Sequence, residues 1–442
     1  MKNKKIRIRF AAIPIFLAVM IWGHAPNQAF SVAEIEIPSS FNPVGSGARA
    51  MGMGGAFIAV ADDATAASWN PGGLTQLILP EFSVVTAGTR RTEDIDFGLN
   101  PEGAGSHNIF DANINYLSVV YPFGLFNRNM VLALTYQRLY DLTREWNFIF
   151  QNSVMGTEDY WNIRQNGSLS ALGLSYCAQI IPDLSVGVTL NIWDDDLSPN
   201  GWEQKFTSDS KIGGMSLMSF FRSERYSFKG MNANIGLLWD INYRLRVGAV
   251  LKTPFKANVL RELRETHIYP SEFGETMFSE HDIRNEEIEM PMSYGIGVAY
   301  RFSDNFFMSA DVYRTEWGDF IYREEDGNKK SPVSARPFEE SDVNPACQVR
   351  WGTEYRFVNR EKGYVVPVRA GLFYDPAPAE GSSDDFYGFS FGMGFVSKDR
   401  FSLDIAYQYR LGNDVGEYIL ESLRSSQDVD EHMVYLSLIF YH

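Results

Sequence analysis

From about residue 81 to the C-terminus, hydrophobic residues alternate with small or polar residues over segments of about ten residues. In Phe401–Arg410, Phe, Leu, Ile and Tyr occupy every second position, and Ser, Asp, Ala, Gln and Arg lie between them. A period of two indicates a β-strand whose two faces meet different environments. Fourteen segments show this pattern, beginning near Glu81, Asn113, Met130, Gly167, Leu184, Phe228, Tyr243, Glu287, Asn305, Asn344, Tyr364, Phe386, Arg400 and Asp430.

The connections between these segments alternate between short turns and long loops. Short turns are predicted at residues 123–129, 182–183, 240–242, 303–304, 358–363 and 397–399. Long loops are predicted at residues 91–112, 142–166, 194–227, 255–286, 316–343, 376–385 and 411–429. This alternation with an even strand number is typical of outer-membrane barrels, whose short turns face the periplasm. A soluble β-sandwich also alternates, but its hydrophobic faces point inward and its loops have no reason to alternate in length.

The length of the segments fits a membrane. About 11 residues at a rise of ~3.3 Å, tilted by ~40°, span roughly 28 Å, close to the ~25 Å apolar band of such barrels. The predicted fold class is therefore all-β, a fourteen-stranded antiparallel transmembrane β-barrel over residues 81–442.

The predicted inward faces of the strands are rich in glycine. Glycine weakens a strand, so its repeated use indicates that another chain segment approaches the wall closely. The inward glycines are Gly173, Gly187, Gly236, Gly248, Gly295, Gly297, Gly352, Gly371, Gly388, Gly392 and Gly394. Residues 30–80 lack the strand pattern, and their small residues favour a short helix through Ala67 that ends at the Asn70-Pro71-Gly72-Gly73 turn. We therefore predict an N-terminal hatch, residues 30–80, inside the lumen.

The N-terminus is typical of an export signal. Five basic residues among the first nine precede an apolar run, Phe10–Trp22, that is too short to span a bilayer. We predict a signal peptide over residues 1–29, with Ala33 as a later alternative cleavage site. An exported chain without a membrane helix is either soluble outside the cytoplasm or a membrane β-barrel.

The composition excludes several other classes of protein. A formal net charge of -16 repels nucleic-acid phosphates, so no nucleic-acid partner is expected. Cys177 and Cys347 cannot form a disulfide framework or a zinc cluster, and whether they pair with each other stays open. The six histidines have no spacing typical of a metal site or a Ser/His/acid arrangement. We expect no catalytic residue, no metal, no cofactor and no enzyme activity.

Several motifs resemble those of one membrane-protein family. They are ADDATAASWNPGGL from Ala61, RVGAVLKTPF from Arg246, MPMSYGIGVAYRF from Met290, ADVYRTEW from Ala310, VPVRAGLFYDPAP from Val366 and LDIAYQY from Leu403. In order and spacing they resemble the FadL-type outer-membrane transporters of long-chain fatty acids and other hydrophobic compounds. The family's hatch carries an Asn-Pro-Ala element, and here Gly72 stands at its third position. The resemblance implies that ligand lands on outer loops, enters a lumen pocket and leaves through a lateral gap as the hatch shifts.

Three groups of residues are candidates for such a pathway. The hatch or gate is predicted at Asn70, Pro71 and Gly72. Ligand capture is predicted at two aromatic or methionine-rich loops, with Trp146, Phe148 and Phe150 in one and Met215, Leu217, Phe220 and Phe221 in the other. These residues have an equally plausible packing role over the barrel mouth or against lipid. Arg350 and Arg369 are candidate lumen residues for a ligand head group, although such residues more often pair across the lumen or hold the hatch.

The predicted function is passive uptake of long-chain fatty acids or other hydrophobic small molecules across the bacterial outer membrane. The expected partners are the hydrophobic ligand, outer-membrane lipid and lipopolysaccharide, and the expected state is a monomer. The alternative is a PorV-type barrel, which has a similar fold and hatch but acts as a protein-secretion shuttle or assembly factor.

Overall fold

The computed structural model describes residues 46–442 except 153–154, 272–273, 398–399, 418 and 421–422. The predicted signal peptide and the first part of the predicted hatch, up to residue 45, lie outside the described residues. Within the described ranges, no helix is long and apolar enough to cross a bilayer.

Short helical pieces come first along the chain, and strands follow. The hatch contains α1 (Ala48–Gly52), α2 (Ala66–Trp69) and a 3-10 helix (Pro71–Gln76). Three further 3-10 turns lie at Pro101–Gly103, Trp317–Asp319 and Phe338–Glu340. The described strands are β1 (Glu81–Phe97), β2 (Gly105–Leu125), β3 (Arg128–Asp141), β4 (Arg144–Asn152), β5 (Thr157–Ile181), β6 (Leu184–Trp193), β7 (Gly201–Ile212), β8 (Met215–Asp240), β9 (Leu245–Lys252), β10 (Phe255–Ser271), β11 (Gly274–Met290), β12 (Ser293–Ser303), β13 (Phe306–Thr315), β14 (Ile321–Arg323), β15 (Lys329–Lys330), β16 (Ala346–Asn359), β17 (Tyr364–Tyr374), β18 (Phe386–Ser397), β19 (Phe401–Val415) and β20 (Ser425–Tyr441).

Fourteen of these strands close into an antiparallel barrel, which confirms the predicted fold class. The ring runs β1-β2-β3-β5-β6-β8-β9-β12-β13-β16-β17-β18-β19-β20 and returns to β1. The closing pair aligns Glu81 with Tyr441 at one end and Phe97 with Ser425 at the other. Closure satisfies the backbone groups of the wall without an edge, as a bilayer requires.

The two faces of the barrel wall differ as the alternation predicts. On β19, Leu403 and Ile405 are exposed on the outside, whereas Asp404 and Arg410 are buried on the inside. The hydrophobic face therefore points outward, toward hydrocarbon, and the polar side chains fill the enclosed space.

Six further strands lie in connections that the sequence pattern predicts as long loops, and this part of the prediction was wrong. β4, β7, β10, β11, β14 and β15 extend the sheet beyond one end of the barrel, in the order β4-β5-β7-β8-β10-β11-β14-β15. These strands project into water, so both faces can be polar; in β11, residues 274–281 are all exposed. In this part of β11 the period-two signal is therefore lost. We call this the outer end of the barrel, and the end with the short turns the inner end.

The hatch fills the lumen, and the inward glycines make room for it. A Cβ atom at Gly187 or Gly236 would overlap the backbone or ring of Pro71, and one at Gly371 would overlap Gly54. Gly352 meets Met53 in the same way. The predicted reason for these glycines, close approach of another chain segment, is confirmed at these positions.

Candidate functional site

Asn70 joins the hatch to the barrel wall. Its side chain is fully buried, and its Nδ2 donates to the carbonyl oxygens of Ile58 in the hatch (2.8 Å) and Leu237 in β8 (2.9 Å). Its Oδ1 accepts from the backbone N–H of Gly72 (3.0 Å) and so caps the 3-10 helix. The amide oxygen of Asn70 thus stabilises the turn, and its amide nitrogen contacts the wall.

Pro71 and Gly72 bring that 3-10 helix against β6 and β8. Proline suits the first helical position because its missing N–H is not needed there. The Gly72 carbonyl accepts a hydrogen bond from the Ser185 hydroxyl (2.7 Å). Deeper toward the inner end, the Asn129 amide donates to the Thr75 carbonyl (2.6 Å). The predicted gate residues therefore form one continuous contact with the wall.

An ion-pair network fixes the other side of the hatch. Arg49 of α1 contacts Asp62 (2.5 Å) within the hatch and Glu354 of β16 (3.0 Å). Arg369 of β17 contacts the same Glu354 (2.6 Å) and also Asp404 of β19 (2.6 Å). Arg369 is almost fully buried, with its guanidinium held between two carboxylates. Glu354 is the register partner of Arg369 on the neighbouring strand, so this arginine pairs with carboxylates along the inner wall of the barrel.

Arg350, the second candidate head-group residue, also contacts protein groups. Its guanidinium donates to the Gly54 carbonyl of the hatch (3.0 Å) and pairs with Asp375 (3.1 Å). It lines a cavity of about 80 Å³ above the hatch, together with Trp69 and Tyr435. Both arginines thus hold structure together, and Arg350 also faces an open space.

Trp146, Phe148 and Phe150 lie on β4, and not in an irregular loop as predicted. All three are buried, with Phe148 packed against Phe97 (ring centroids 4.9 Å apart). The Trp146 Nε1 donates to the Glu93 carboxylate (2.5 Å). They belong to one large hydrophobic cluster at the outer end that continues down to Trp193.

His107 attaches β4 to β2. Its Nδ1 accepts from the Asn147 backbone N–H (3.4 Å), and its ring meets that of Phe148 edge-on at 5.1 Å. It lies in the part of β2 beyond the predicted membrane span. Burial lowers the pKa of His107 below its ordinary value, so the neutral ring is favoured at neutral pH.

The second predicted capture segment lies at the tip of the β7–β8 hairpin. Met215, Leu217 and Phe221 are exposed there, and Phe220 packs on the ring of His267 (4.6 Å). These apolar side chains therefore face water at the tip of this hairpin.

A row of aromatic rings connects the two predicted capture segments. Phe150 contacts Trp161 (4.8 Å), Trp161 contacts Phe206 (5.5 Å), and Phe206 contacts Phe220 (5.7 Å). A cavity of about 70 Å³ lies beside this row, lined in part by Trp146 and Phe206. Trp161 lies within the first predicted capture segment, residues 142–166, whereas the sequence pattern does not indicate Phe206 of β7, which joins the two segments.

Lys252 is a lumen residue that the strand pattern does not single out. It lies at the end of β9, is 5% exposed, and lines a second lumen cavity together with Tyr140, Trp193 and Phe255. A signal was available, because Lys252 is the only charged residue of the LKTPF stretch. The alternation alone does not show that it faces a cavity.

A larger hollow opens on the inner side of the hatch. Its volume is about 420 Å³, and its lining includes Val60 and Asp62 of the hatch, with Arg246, Arg301 and Arg356 of the wall. Arg246 donates from its Nη2 to the Gln76 side chain (2.9 Å). The hatch therefore separates the outer aromatic cluster from a polar space that faces the inner end.

Comparison with known families identifies the family to which this chain belongs. The sequence profile of the outer membrane protein transport protein family (OMPP1/FadL/TodX) matches residues 27–418. The chain belongs to this family. It is therefore a β-barrel of the bacterial outer membrane, in a family of transport proteins for hydrophobic compounds.

Solved structures of similar proteins share the fold of this FadL-type chain. The CymD monoaromatic hydrocarbon channel is 17% identical, with 91% of this chain and 99% of that one covered and a TM-score of 0.56. A Pseudomonas aeruginosa FadL homologue is 12% identical, with 92% and 99% covered and a TM-score of 0.61. The Pseudomonas putida toluene transporter TodX is 12% identical, with 92% and 99% covered and a TM-score of 0.57. No curated protein matches in sequence.

The structure explains why this FadL-type chain carries glycine at position 72. A Cβ atom on Gly72 would lie 2.9 Å from the backbone of Gly236 and of Leu237. Such contacts are closer than packed atoms tolerate. Gly72 therefore allows the 3-10 helix to lie directly on β8.

Proposed function

We propose that this protein takes up long-chain fatty acids or other hydrophobic small molecules by passive passage through the hatched barrel, with lateral exit into the membrane. The observation that carries this proposal is the aromatic row from the exposed β7–β8 tip to the buried outer cluster. An apolar ligand gains ~0.8 kcal/mol for each methylene that it removes from water, so it follows a continuous apolar surface.

Capture begins at the exposed tip. Met215 and Phe221 offer an apolar surface to ligand from outside, and from Phe220 the ligand moves to Phe206 and Trp161. The buried rings of the outer cluster then receive it. Each transfer exchanges one aromatic contact for another, so no step exposes the ligand fully to water.

Release needs movement of the hatch. Asn70, Pro71 and Gly72 hold the 3-10 helix against β6 and β8 by a few hydrogen bonds and close packing, which are local contacts. The space beyond the hatch is lined in part by charged side chains, among them Asp62, Arg246 and Arg301, which offer an apolar ligand little. We therefore include exit sideways through the wall, into hydrocarbon, in the proposal.

The proposed function also includes the ligands and the partners of the protein. CymD is described as a monoaromatic hydrocarbon channel and TodX as a toluene transporter, which supports hydrophobic aromatics beside fatty acids as ligands here. Outer-membrane lipid and lipopolysaccharide are the proposed surroundings. We propose a monomer, because the closed ring leaves no barrel strand edge to pair with a second copy.

Uptake by cells tests this function. Cells that lack other uptake channels and express the protein are given radiolabelled dodecanoate or toluene, and initial rates are measured against concentration. We expect saturable uptake that an Asn70→Ala, Pro71→Ala double variant loses, while Asn328→Ala, on an exposed turn, keeps it. A folded barrel without saturable uptake of either compound would contradict the proposal. If a secreted protein also co-purified with that barrel, the PorV-type alternative would be favoured.

A further inference from the structure

The hollow of about 420 Å³ on the inner side of the hatch, which we call the inner hollow, is rich in arginine. Its lining includes Arg244, Arg246, Arg301 and Arg356. Two of these are held by carboxylates, Arg246 by Asp240 (2.5 Å) and Arg356 by Glu354 (2.6 Å). Arg244 and Arg301 have no carboxylate within ion-pair distance among the residues that the structure describes. The inner hollow therefore holds two cations that the described wall and hatch leave without an anion.

These two arginines lie next to each other at the inner end of the wall. The backbone N–H of Arg301 on β12 donates to the carbonyl oxygen of Arg244 (2.8 Å), just before β9 begins. Like charges on directly opposite residues of a sheet repel each other. An anion that contacts both guanidinium groups removes this repulsion, and the N–H fork of arginine matches the oxygens of a phosphate. The arginine pair is thus suited to a phosphate group.

The outward face of β12 shows the height of Arg301 in the membrane. Exposed apolar residues occupy every second position of this strand, namely Tyr294, Ile296, Val298, Tyr300 and Phe302. β12 ends at Ser303, beside a short inner turn, so Phe302 is the last residue of this apolar row. Arg301 directly precedes it and lies at the inner border of the apolar band, where the lipid head groups begin. A phosphate at this height belongs to a phospholipid of the inner leaflet.

Two tyrosines connect the inner hollow with the outward face of the barrel. Tyr300 lines the hollow, and its ring also contacts that of Phe302 on the outward face (4.8 Å). Tyr243 lines the hollow as well and is 77% exposed, with the Arg244 guanidinium over its ring (5.1 Å). Tyrosine rings are common at the level of the head groups. A lipid can therefore place its chains along the outward rings and its head group between these tyrosines.

Asp183 adds a negative group to the same hollow. It lies exposed in the turn between β5 and β6, and its carbonyl oxygen accepts from the Asp240 N–H (2.8 Å). Within the described part of the chain, no cation lies within ion-pair distance of its carboxylate. One hollow thus offers cations for a phosphate and a carboxylate for an ammonium group. A water molecule needs roughly 10–15 Å³ of such space, so a phosphoethanolamine group fits with water beside it.

We propose that the inner hollow binds the head group of phosphatidylethanolamine, with the phosphate on Arg244 and Arg301 and the ammonium group facing Asp183. The acyl chains lie outside the barrel, against Tyr300 and Phe302. The height of Arg301 at the border of the apolar band favours this lipid over an acidic peptide from the periplasm. The inference depends on the position of the barrel in the outer membrane and not on the compound that the barrel takes up.

Lipids with the same chains and different head groups test this inference. The protein is purified in detergent and titrated with palmitoyl-oleoyl phosphatidylethanolamine, phosphatidylglycerol or phosphatidylcholine, and bound lipid is counted by native mass spectrometry. Phosphatidylglycerol has no ammonium group, and that of phosphatidylcholine has no N–H. We expect the first phosphatidylethanolamine to bind at least about tenfold more tightly than either of the others, because only its ammonium group donates to Asp183.

Variants assign the two charges of the head group to their partners. Arg301→Gln should weaken phosphatidylethanolamine binding about tenfold through loss of a phosphate contact. Asp183→Asn should lower the affinity for phosphatidylethanolamine to that for phosphatidylglycerol and leave the latter unchanged. Arg360→Gln is the matched control, because Arg360 is an exposed arginine of the inner turn after β16 and does not line the hollow. Heat-modified gel mobility confirms that each variant is a folded barrel.

Three results would overturn the inference. The first is equal binding of all three lipids by the wild type and by the folded Arg301→Gln variant. The second is a loss of affinity in Arg360→Gln as large as that in Arg301→Gln, which would assign binding to the overall surface charge. The third is displacement of bound phosphatidylethanolamine by excess inorganic phosphate, which would identify a soluble phosphate as the ligand.

Discussion

Single residues decide how the hatch sits in the barrel. Asn70 uses one amide to cap a turn and to reach the wall, and Gly236 lets the hatch approach so closely that no side chain fits between them. The sequence predicts both features, because glycines within strands indicate the close approach of another segment and the Asn-Pro-Gly sequence indicates a turn. It could not decide whether Arg369 meets a ligand or a neighbour, since that depends on which carboxylates the strand register places beside it.

A side chain at Gly236 should displace the hatch. Gly236→Val places atoms where Asn70 and Pro71 lie, and overpacking of this kind costs about 1–3 kcal/mol. The barrel should fold while the hatch becomes cleavable by added protease. Gly88→Val is the control, because a Cβ there meets nothing within 4 Å. Equal protease resistance of the two variants would show that the contact at Gly236 does not hold the hatch.

Loss of Arg369 should destabilise the lumen strongly. Arg369→Met leaves Glu354 and Asp404 buried near each other with fewer cations, and removing one partner of a buried pair costs about 3–5 kcal/mol. Urea unfolding in detergent measures the loss. Arg164→Met, in an exposed pair with Glu145, should change the unfolding midpoint little. A marginal effect of Arg369→Met would instead favour a role for this arginine in binding the head group of a ligand.

At the scale of elements, the outer hairpins are the part that the alternation could not predict. β10 and β11 pair along seventeen positions, yet much of their surface faces water on both sides. β4 is different, because its burial alternates between the outer cluster and solvent. The sequence pattern nevertheless predicts a loop there. β4 is only nine residues long and is followed at once by a much longer strand, so the region resembles one irregular connection.

One face of β4 should matter for ligand binding and the other should not. Phe148→Ala removes a buried ring from the outer cluster and should weaken binding of hydrophobic ligands severalfold, while heat-modified mobility of the barrel stays normal. Ile149→Ala, on the exposed face of the same strand, should leave affinity unchanged. Equal affinities in the two variants would remove β4 from the proposed pathway.

Acid should loosen the contact between β4 and β2. Burial lowers the pKa of His107, so the folded state binds protons less readily than the unfolded state, and this contribution to stability is full above about pH 6.5. It is lost as the pH falls below that value, because the protonated ring cannot accept from the Asn147 N–H. Protection of β4 amides from hydrogen exchange, corrected for intrinsic rates, should fall severalfold between pH 7 and pH 5. His107→Gln should not show this drop; a drop of the same size in that variant would assign it to another group.

At the scale of the whole molecule, a lipid-facing wall, a lumen filled by its own N-terminal segment and an aromatic outer extension form one arrangement. The wall and the hatch were predictable from two signals. The alternation shows which face of each strand is hydrophobic, and the inward glycines show where the hatch approaches the other face. The Lys252 cavity was not, since strands distant along the chain bring its lining together. Family membership supports transport, and the geometry supplies the route that we propose.

A covalent link between the hatch and the wall shows whether uptake requires the hatch to move. A Cβ atom on Gly52 would lie 3.5 Å from the Cβ of Ala406 on β19, a separation that a disulfide can bridge, so a Gly52→Cys, Ala406→Cys pair can link the hatch to the wall. In a background with Cys177→Ala and Cys347→Ser, the oxidised barrel should fold normally but take up labelled dodecanoate at least about tenfold more slowly, and a reductant should restore the rate. Uptake at the full rate by a completely cross-linked, folded barrel would show that ligand passes without movement of the hatch, contrary to the proposed function.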